Sequence, residues 1–373
     1  IFLKGAKDGF EMTIKIFPTL IGLFLAIGAL IVFMFINSWG VQFTGKIQTL
    51  FVMILLVGII FVIGDAVLNP IANSEHLQPM FHPETPNFTK GIMAQIVVVL
   101  VTAPQSFVGF DTVPQLMEES DFSHDKVKVV MDTSIICGGF VYVSLTLLAC
   151  SVFPAVYSSW VEYNEALPEL RGITAIPTLN AAYMILGKTG LFAMVCSVIA
   201  AMLTGIIGFY TATSRLLYSM ARDKMIPSWF SFLNKNGVPT HAGIFCTVIS
   251  ALTCLMGRAV MGYVFDMASI GGSIGFAYTS ISACKYAFEE KRIDIVIFGF
   301  LGFILSLGMA VLLLLPIPGL NVSLSNESYI LLIIWSVLGL AFFMRRGGGI
   351  TIFEQLILDL SSTDNNSKKQ AAS

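Results

Sequence analysis

The chain has 373 residues, of which 56% are hydrophobic and 12% are charged, and its mean hydropathy is +0.83. Soluble domains carry about 25% charged residues, so the composition excludes a soluble globular protein and predicts a polytopic helical membrane protein. The formal net charge of −2 provides no basic surface of the kind that binds nucleic acid.

Apolar segments follow one another along the chain, and each is close to the roughly 20 residues that a helix needs to cross a bilayer. The nine predicted spans are residues 20–38, 43–64, 92–114, 129–154, 190–221, 240–257, 262–287, 293–315 and 329–345. Residues 1–19 carry five charges and indicate an aqueous loop or an amphipathic segment. We therefore predict an all-α membrane domain over residues 1–345 and a polar tail over residues 346–373.

The third span is interrupted by residues that break helices. Pro104 and Pro114 flank the interruption and Gly109 lies in its middle. Proline removes a backbone donor and clashes with the preceding turn, and glycine costs a helix about 1 kcal/mol relative to alanine. Non-helical backbone at membrane depth is tolerated only inside the protein or beside a cavity, so the break is either a packing kink or a binding site.

Two half-helices that meet at this break would present opposite dipole ends. The first would offer unpaired carbonyls, which suit an ammonium, and the second unpaired amides, which suit a carboxylate. This pairing favours a zwitterion such as an amino acid. Asp111 is predicted to cap the second half-helix, with Pro114 in its first turn. Because acids within a membrane are costly and usually functional, we favour a binding site over a kink.

The later spans contain small polar residues whose role the sequence leaves open. Hydroxyls in the fifth span can coordinate Na⁺ or simply bond to their own helix, and they are Ser197, Thr204, Thr211, Thr213 and Ser214. Phe209 can line a cavity or pack. Just before this span, Thr178 or Asn180 is predicted to cap a short helix. Residues 269–276 favour close helix packing, with gating as the alternative.

The distribution of basic residues predicts the orientation in the membrane. One set of loops holds 14 of the 21 Lys and Arg residues and the opposite set holds 7, so the first set, with the C-terminus, is expected to be cytoplasmic. The four histidines lie in loops without metal-ligand spacing, and no P-loop, GxSxG or HExxH motif occurs. We therefore expect no enzyme activity, metal or cofactor.

Several motifs together resemble the amino acid–polyamine–organocation permeases. Residues 107–111 (FVGFD) with Glu118 and Glu119 look like the sixth helix of that family, and residues 214–239 look like its eighth helix and the following loop. Residues 37–48 are similar to its link between helices four and five. The resemblance covers nearly the whole chain.

The family fold implied by this resemblance has twelve helices, the first ten forming two inverted five-helix repeats, as in the leucine-transporter-like fold. The nine spans then correspond to helices four to twelve, with the first three helices missing. On this mapping residues 1–64 are a remnant of the first repeat, residues 92–287 form the second repeat, and residues 293–345 form the two extra helices.

The resemblance implies secondary active transport of an amino acid across the plasma membrane by alternating access, driven by H⁺, Na⁺ or an exchanged substrate. The positions that match the family's substrate site are Gln105, Ser106, Phe107, Val108, Gly109, Phe110, Asp111 and Phe209. The Phe107 carbonyl would hold the ammonium, and Asp111 and Thr204 are candidates for coupling or gating.

The matching broken first helix would lie outside this chain, so the chain alone is expected to be inactive. Two alternatives remain, namely transport of an organic amine or polyamine and a membrane-embedded sensor or scaffold that does not transport. A polyamine site would need further carboxylates within the membrane, and a sensor need not keep the helix break.

Overall fold

The computed structural model describes residues 6–82, 91–114, 126–255, 260–317 and 322–345, and this part of the chain is helical without strands. A helix satisfies its backbone hydrogen bonds internally, as apolar surroundings require. The all-α fold class is thereby confirmed. The helices of these residues are α1 (Ala6–Ser38), α2 (Val41–Leu68), α3 (Ile92–Ser106), α4 (Lys126–Ser151), α5 (Trp160–Ala166), α6 (Pro177–Arg222), α7 (Thr240–Leu255), α8 (Val260–Glu289), α9 (Ile293–Leu314) and α10 (Asn326–Arg345).

Five helical stretches in the described residues are long and apolar enough to cross a membrane. They are Leu20–Ser38, Gln42–Leu68, Lys126–Ser151, Pro177–Arg222 and Ile293–Leu314. A helix occupies each of the nine predicted spans, while the number of nine crossings stays a prediction. The helix α1 begins at Ala6, so Lys7, Asp8, Glu11 and Lys15 belong to this helix rather than to an aqueous loop, while Lys4 lies outside the described residues.

The helix α6 is the central element of the bundle. In its most apolar window 28% of the residues are buried, against 6–17% in the other four stretches. It packs along α2, where Val62 meets Ala181, Ala182 and Met194 in one apolar cluster. A kink at Gly187, with φ 62° and ψ −141°, divides α6 into a short N-terminal part and a long C-terminal part. Because this backbone conformation is open almost only to glycine, residue 187 fixes the kink.

The start of α6 differs from the prediction of a side-chain cap. The helix begins at Pro177, after Ile176, and no side chain caps it. Proline suits this first helical position because its missing amide would have no partner there. Asn180 is buried one turn later, and its Nδ2 lies 3.4 Å from the sulfur of Met184. The prediction that Thr178 or Asn180 caps this helix is therefore wrong.

A second group of helices supports α3. Val101 of α3 is buried in a cluster with Ile270 of α8 and Ala310 and Leu313 of α9. The N-terminal end of α8 is held by Asp266, whose Oδ2 accepts hydrogen bonds from the Ser325 amide at 3.2 Å and from the buried Ser328 hydroxyl at 2.6 Å. A carboxylate at the start of α10 also complements the positive end of that helix dipole. These contacts fix the position of α8, against which the broken span packs.

The closest approach between α2 and α6 depends on Gly58. A Cβ atom at this position would overlap the Ser197 hydroxyl oxygen and would lie 2.9 Å from the Ala193 carbonyl oxygen. Ser197 Oγ also donates to the Leu55 carbonyl at 3.3 Å across the same interface. The absence of a side chain at residue 58 therefore sets the distance between the two helices.

We predict that Gly58→Ala destabilises the purified protein by about 1–3 kcal/mol, because the added methyl group overpacks this interface. Gly64→Ala on the same helix is the matched control, since nothing lies within 4 Å of a Cβ there. The measurement is the apparent melting temperature in detergent. Adding Ser197→Ala to Gly58→Ala should restore part of the loss, and equal stability of the two glycine variants would contradict this account.

Candidate functional site

The third span is broken where the sequence predicts it. The helix α3 ends at Ser106, Gly109 adopts φ 131°, and Phe110–Thr112 form one short 3₁₀ turn. The Asp111 Oδ1 accepts a hydrogen bond from the Gly109 amide at 2.8 Å, and the Thr112 hydroxyl donates to the Gly109 carbonyl at 2.6 Å. The break is thus a closed local turn rather than an unstructured gap. The segment 115–125 that would form the second half-helix lies outside the described residues.

The helix α4 supports the break from one side. The Tyr142 hydroxyl donates a 2.6 Å hydrogen bond to the Ser106 carbonyl at the end of α3. The Tyr142 ring also meets the Phe107 ring edge to face, with centroids 5.6 Å apart. Gly138 and Gly139 lie under the Phe107 ring, because a Cβ at either position would contact that ring at 3.7–3.9 Å. The Ser106 carbonyl, which the break leaves without a helical partner, therefore accepts a hydrogen bond from Tyr142. The Phe107 ring packs against Gly138 and Gly139.

The helix α8 forms the other wall. Phe276 stacks on Phe110 with centroids 5.8 Å apart and an interplanar angle of 23°. Next to this pair a cavity of about 10 Å³ lies between α3 and α8, with room for about one water molecule. Its lining comprises Val101, Val108, Ala268, Ser269, Gly272, Ser273 and Phe276. The small residues of 269–276, for which the sequence favours packing, therefore face the break itself.

The hydroxyls of α6 separate into two kinds. Ser197 donates to the Ala193 carbonyl at 3.0 Å, Thr211 to the Ile207 carbonyl at 2.8 Å and Ser214 to the Thr211 carbonyl at 3.0 Å. These three follow the ordinary pattern of hydroxyls that bond to their own helix. Thr204 Oγ1 is different, since it is buried without a hydrogen-bond partner among the described residues. A buried polar atom of this kind is uncommon in folded proteins and calls for an explanation.

The predicted site residues fall into two groups. The structure places Ser106, Phe107, Val108, Gly109, Phe110 and Asp111 together at the break, and the backbone of Gln105 belongs to the last turn of α3 while its side chain lies outside the described residues. Thr204 and Phe209 lie on α6, which contacts the 3₁₀ turn. Phe209 is 46% exposed, and no ring contact in the described part of the chain joins it to Phe107 or Phe110.

Two aromatic residues at the break were missed by the sequence analysis. Tyr142 and Phe276 each contact a predicted site residue, yet each lies in a helix whose sequence reads as an ordinary membrane span. The signal that could have found Tyr142 is a tyrosine hydroxyl three residues after the Gly138-Gly139 pair on the same helix. Small residues next to an aromatic side chain with a polar tip indicate a close contact that also needs a hydrogen-bond acceptor.

Comparison with known proteins finds similarity to permeases and other transporters. The profile of the family described as amino acid permease matches residues 8–338. Similar curated proteins include the histidine permease HisP of Lactococcus lactis subsp. cremoris, 30% identical over 103 residues that make up 26% of this chain and 22% of that protein. The low-affinity putrescine importer PlaP of Escherichia coli K12 is 23% identical over 239 residues, 64% of this chain and 49% of that protein.

A third relative is the thiamine transporter thi9 of Schizosaccharomyces pombe, 25% identical over 183 residues, or 48% of this chain and 30% of that protein. The chain thus spans about half or less of the length of these curated relatives.

We predict that Tyr142→Phe lowers the stability of the protein by about 1 kcal/mol, because the Ser106 carbonyl loses its donor while the ring contact with Phe107 is retained. Tyr278→Phe is the control, because Tyr278 is 72% exposed and has no hydrogen bond recorded in the described residues. Melting in detergent measures both variants. An equal effect of the two substitutions would show that the hydrogen bond does not hold the break.

Proposed function

The chain belongs to the amino acid permease family, and from this premise we propose that it acts as a secondary active amino acid transporter that works by alternating access. The observation that carries the proposal is the break between Ser106 and Phe110, which leaves a short stretch of non-helical backbone between α4 and α8. Such breaks in transporter helices place backbone dipoles at a substrate. The family membership favours a transporter over an enzyme.

The substrate ammonium is proposed to bind at the carbonyl end of α3, with the Phe107 carbonyl as its acceptor. The ring of Phe107 and the stacked pair of Phe110 and Phe276 provide apolar surface beside that position. The Ser106 carbonyl already accepts a bond from Tyr142, which favours the next carbonyl for the ligand. Phe209 is proposed to close the site from α6, and Gln105 to contribute at its edge.

An organic amine or polyamine is the second candidate substrate. It is favoured by the alignment with the putrescine importer, which covers 64% of this chain. Against it stands the scarcity of carboxylates, since Asp111 is the only acid in residues 91–114. Its Oδ1 is engaged by the Gly109 amide, so one carboxylate serves both the turn and any second ammonium. We therefore keep the amino acid as the proposed substrate.

Coupling is proposed to use Na⁺ at Thr204, H⁺ at Asp111, or exchange with a second substrate. The buried Thr204 hydroxyl has no other partner in the described residues, and hydroxyl oxygens are ligands that hard cations accept. The plasma membrane is proposed from the family resemblance, and the excess of Lys and Arg on one set of loops supports a cytoplasmic C-terminus.

Transport by the protein at its full natural length is the decisive test. The protein, reconstituted in liposomes, should accumulate radiolabelled amino acid when a proton gradient, a sodium gradient or internal counter-substrate is supplied. The first compounds tested are histidine, lysine and putrescine. Histidine and lysine represent the proposed amino acid substrates, and putrescine represents the alternative amine substrates. Uptake of putrescine but of neither amino acid would select the second candidate. No uptake of any labelled amino acid or amine under all three driving conditions would refute the transport proposal.

We predict that Asp111→Asn flattens the pH dependence of uptake. Asparagine keeps an oxygen that can accept the Gly109 amide, so the turn is preserved while the titratable charge is removed. Asp111→Ala removes both and serves to measure the structural contribution separately. The measurement is initial uptake rate against external pH. A profile identical to that of the parent protein would reduce Asp111 to an acceptor that closes the turn.

A further inference from the structure

A second cavity lies at the opposite end of α8 from Asp266, where α8 and α9 join. Its volume is about 350 Å³, within the range of small-molecule sites in proteins. Four apolar side chains and one charged pair line it, namely Ile281, Cys284, Lys285, Phe288, Glu289 and Val296. None of these residues takes part in the broken span.

The walls of this groove are held by close backbone contact. A Cβ at Gly299 would lie 2.7 Å from Cys284 Sγ, and one at Gly302 would lie 2.9 Å from Ser280 Oγ. Cys284 Sγ also donates to the Val296 carbonyl at 3.4 Å. Because two glycines bring the helices together here, the side chains on the next turn of α8 lie beside α9 in a fixed arrangement. The groove is therefore part of the packed helix pair rather than a loop feature.

The groove lies at the boundary of the membrane. The helix α9 begins at Ile293 and is one of the stretches apolar enough to span a bilayer, and α8 ends at Glu289 just before it. In a bilayer spanned by α9, Val296 and Ile281 would lie on the apolar side of the groove, and Lys285 and Glu289, near the end of α8, would lie at its mouth. The acyl chains of a lipid can reach Val296 and Ile281, and its headgroup can reach Lys285 and Glu289.

The charged pair at the mouth has opposite signs. Lys285 and Glu289 are four residues apart on α8, so they share one face of the helix. Within the described residues, neither side chain has a recorded hydrogen bond or ion pair, either with the other or with a third group. A ligand with its own anion and cation next to each other would satisfy both, with a phosphate on the lysine ammonium and a primary ammonium on the carboxylate.

We infer that this groove binds a phosphatidylethanolamine molecule. Its phosphate lies against Lys285, its ammonium donates hydrogen bonds to Glu289, and an acyl chain covers Ile281 and Val296. Phosphatidylcholine has the same phosphate, but its quaternary ammonium has no N–H to donate to the carboxylate. Phosphatidylglycerol brings no cation to Glu289. The charge pattern therefore selects one headgroup among the three.

The test is thermal melting of the purified protein in detergent with added phosphatidylethanolamine, phosphatidylcholine or phosphatidylglycerol of identical acyl chains. A ligand that binds the folded state raises the melting temperature, and we expect phosphatidylethanolamine to raise it by about 2 °C or more above the other two lipids. A shift that is equal for the three lipids, or larger for phosphatidylglycerol, would overturn the inference.

Matched variants separate the groove from general lipid effects. Lys285→Gln and Glu289→Gln should each abolish the difference between phosphatidylethanolamine and phosphatidylcholine. Lys291→Gln and Glu290→Gln remove the same charges from neighbouring residues that do not line the cavity, and they should retain the difference. Glu289→Lys should turn the preference towards phosphatidylglycerol. If the lining variants and their neighbours behave alike, the groove is not the lipid site.

Discussion

Hydrocarbon offers no hydrogen-bond partners, and the arrangement around the broken third span follows from that constraint. Because α3 stops at Ser106, the carbonyls and amides beyond it lose their helical partners. Side chains replace several of these partners, with Tyr142 on the Ser106 carbonyl, Asp111 on the Gly109 amide and Thr112 on the Gly109 carbonyl. Under the proposed function, a substrate would use the backbone acceptors that remain in the turn after Ser106.

The position of the break was predictable because its causes are local. Proline and glycine act on the backbone within a few residues, and α3 indeed ends two residues after Pro104. The walls of the break were not predictable in the same way. Tyr142 meets the Ser106 carbonyl across 36 residues of chain, and Phe276 reaches Phe110 from a helix that is adjacent only after folding. No periodicity in the sequence marks such pairs, since both aromatic residues also fit an ordinary lipid-facing span.

The hydroxyl groups of α6 are a second example of contacts that the sequence could not predict. By residue type and spacing alone, Ser197, Thr204 and Thr211 are equivalent small polar residues in an apolar span, and only the family resemblance singles out Thr204. In the structure Ser197 and Thr211 bond to their own helix and to a neighbour, with Ser197 reaching Leu55 and Thr211 reaching Asn37, whereas Thr204 Oγ1 is buried without either bond. What distinguishes Thr204 is its surroundings on adjacent helices, and that information arises only from the packing of α6 in the centre of the bundle.

The helix α8 connects the broken span with the groove that is lined by Lys285 and Glu289. Phe276 stacks at the break, and Lys285 lies nine residues later on the same uninterrupted helix, a rise of about 14 Å. The glycine contacts with α9 fix the end of α8 that carries the charged pair, while the other end is fixed by Asp266 on the start of α10. A lipid held between α8 and α9 would therefore act on a helix that is already anchored at both ends.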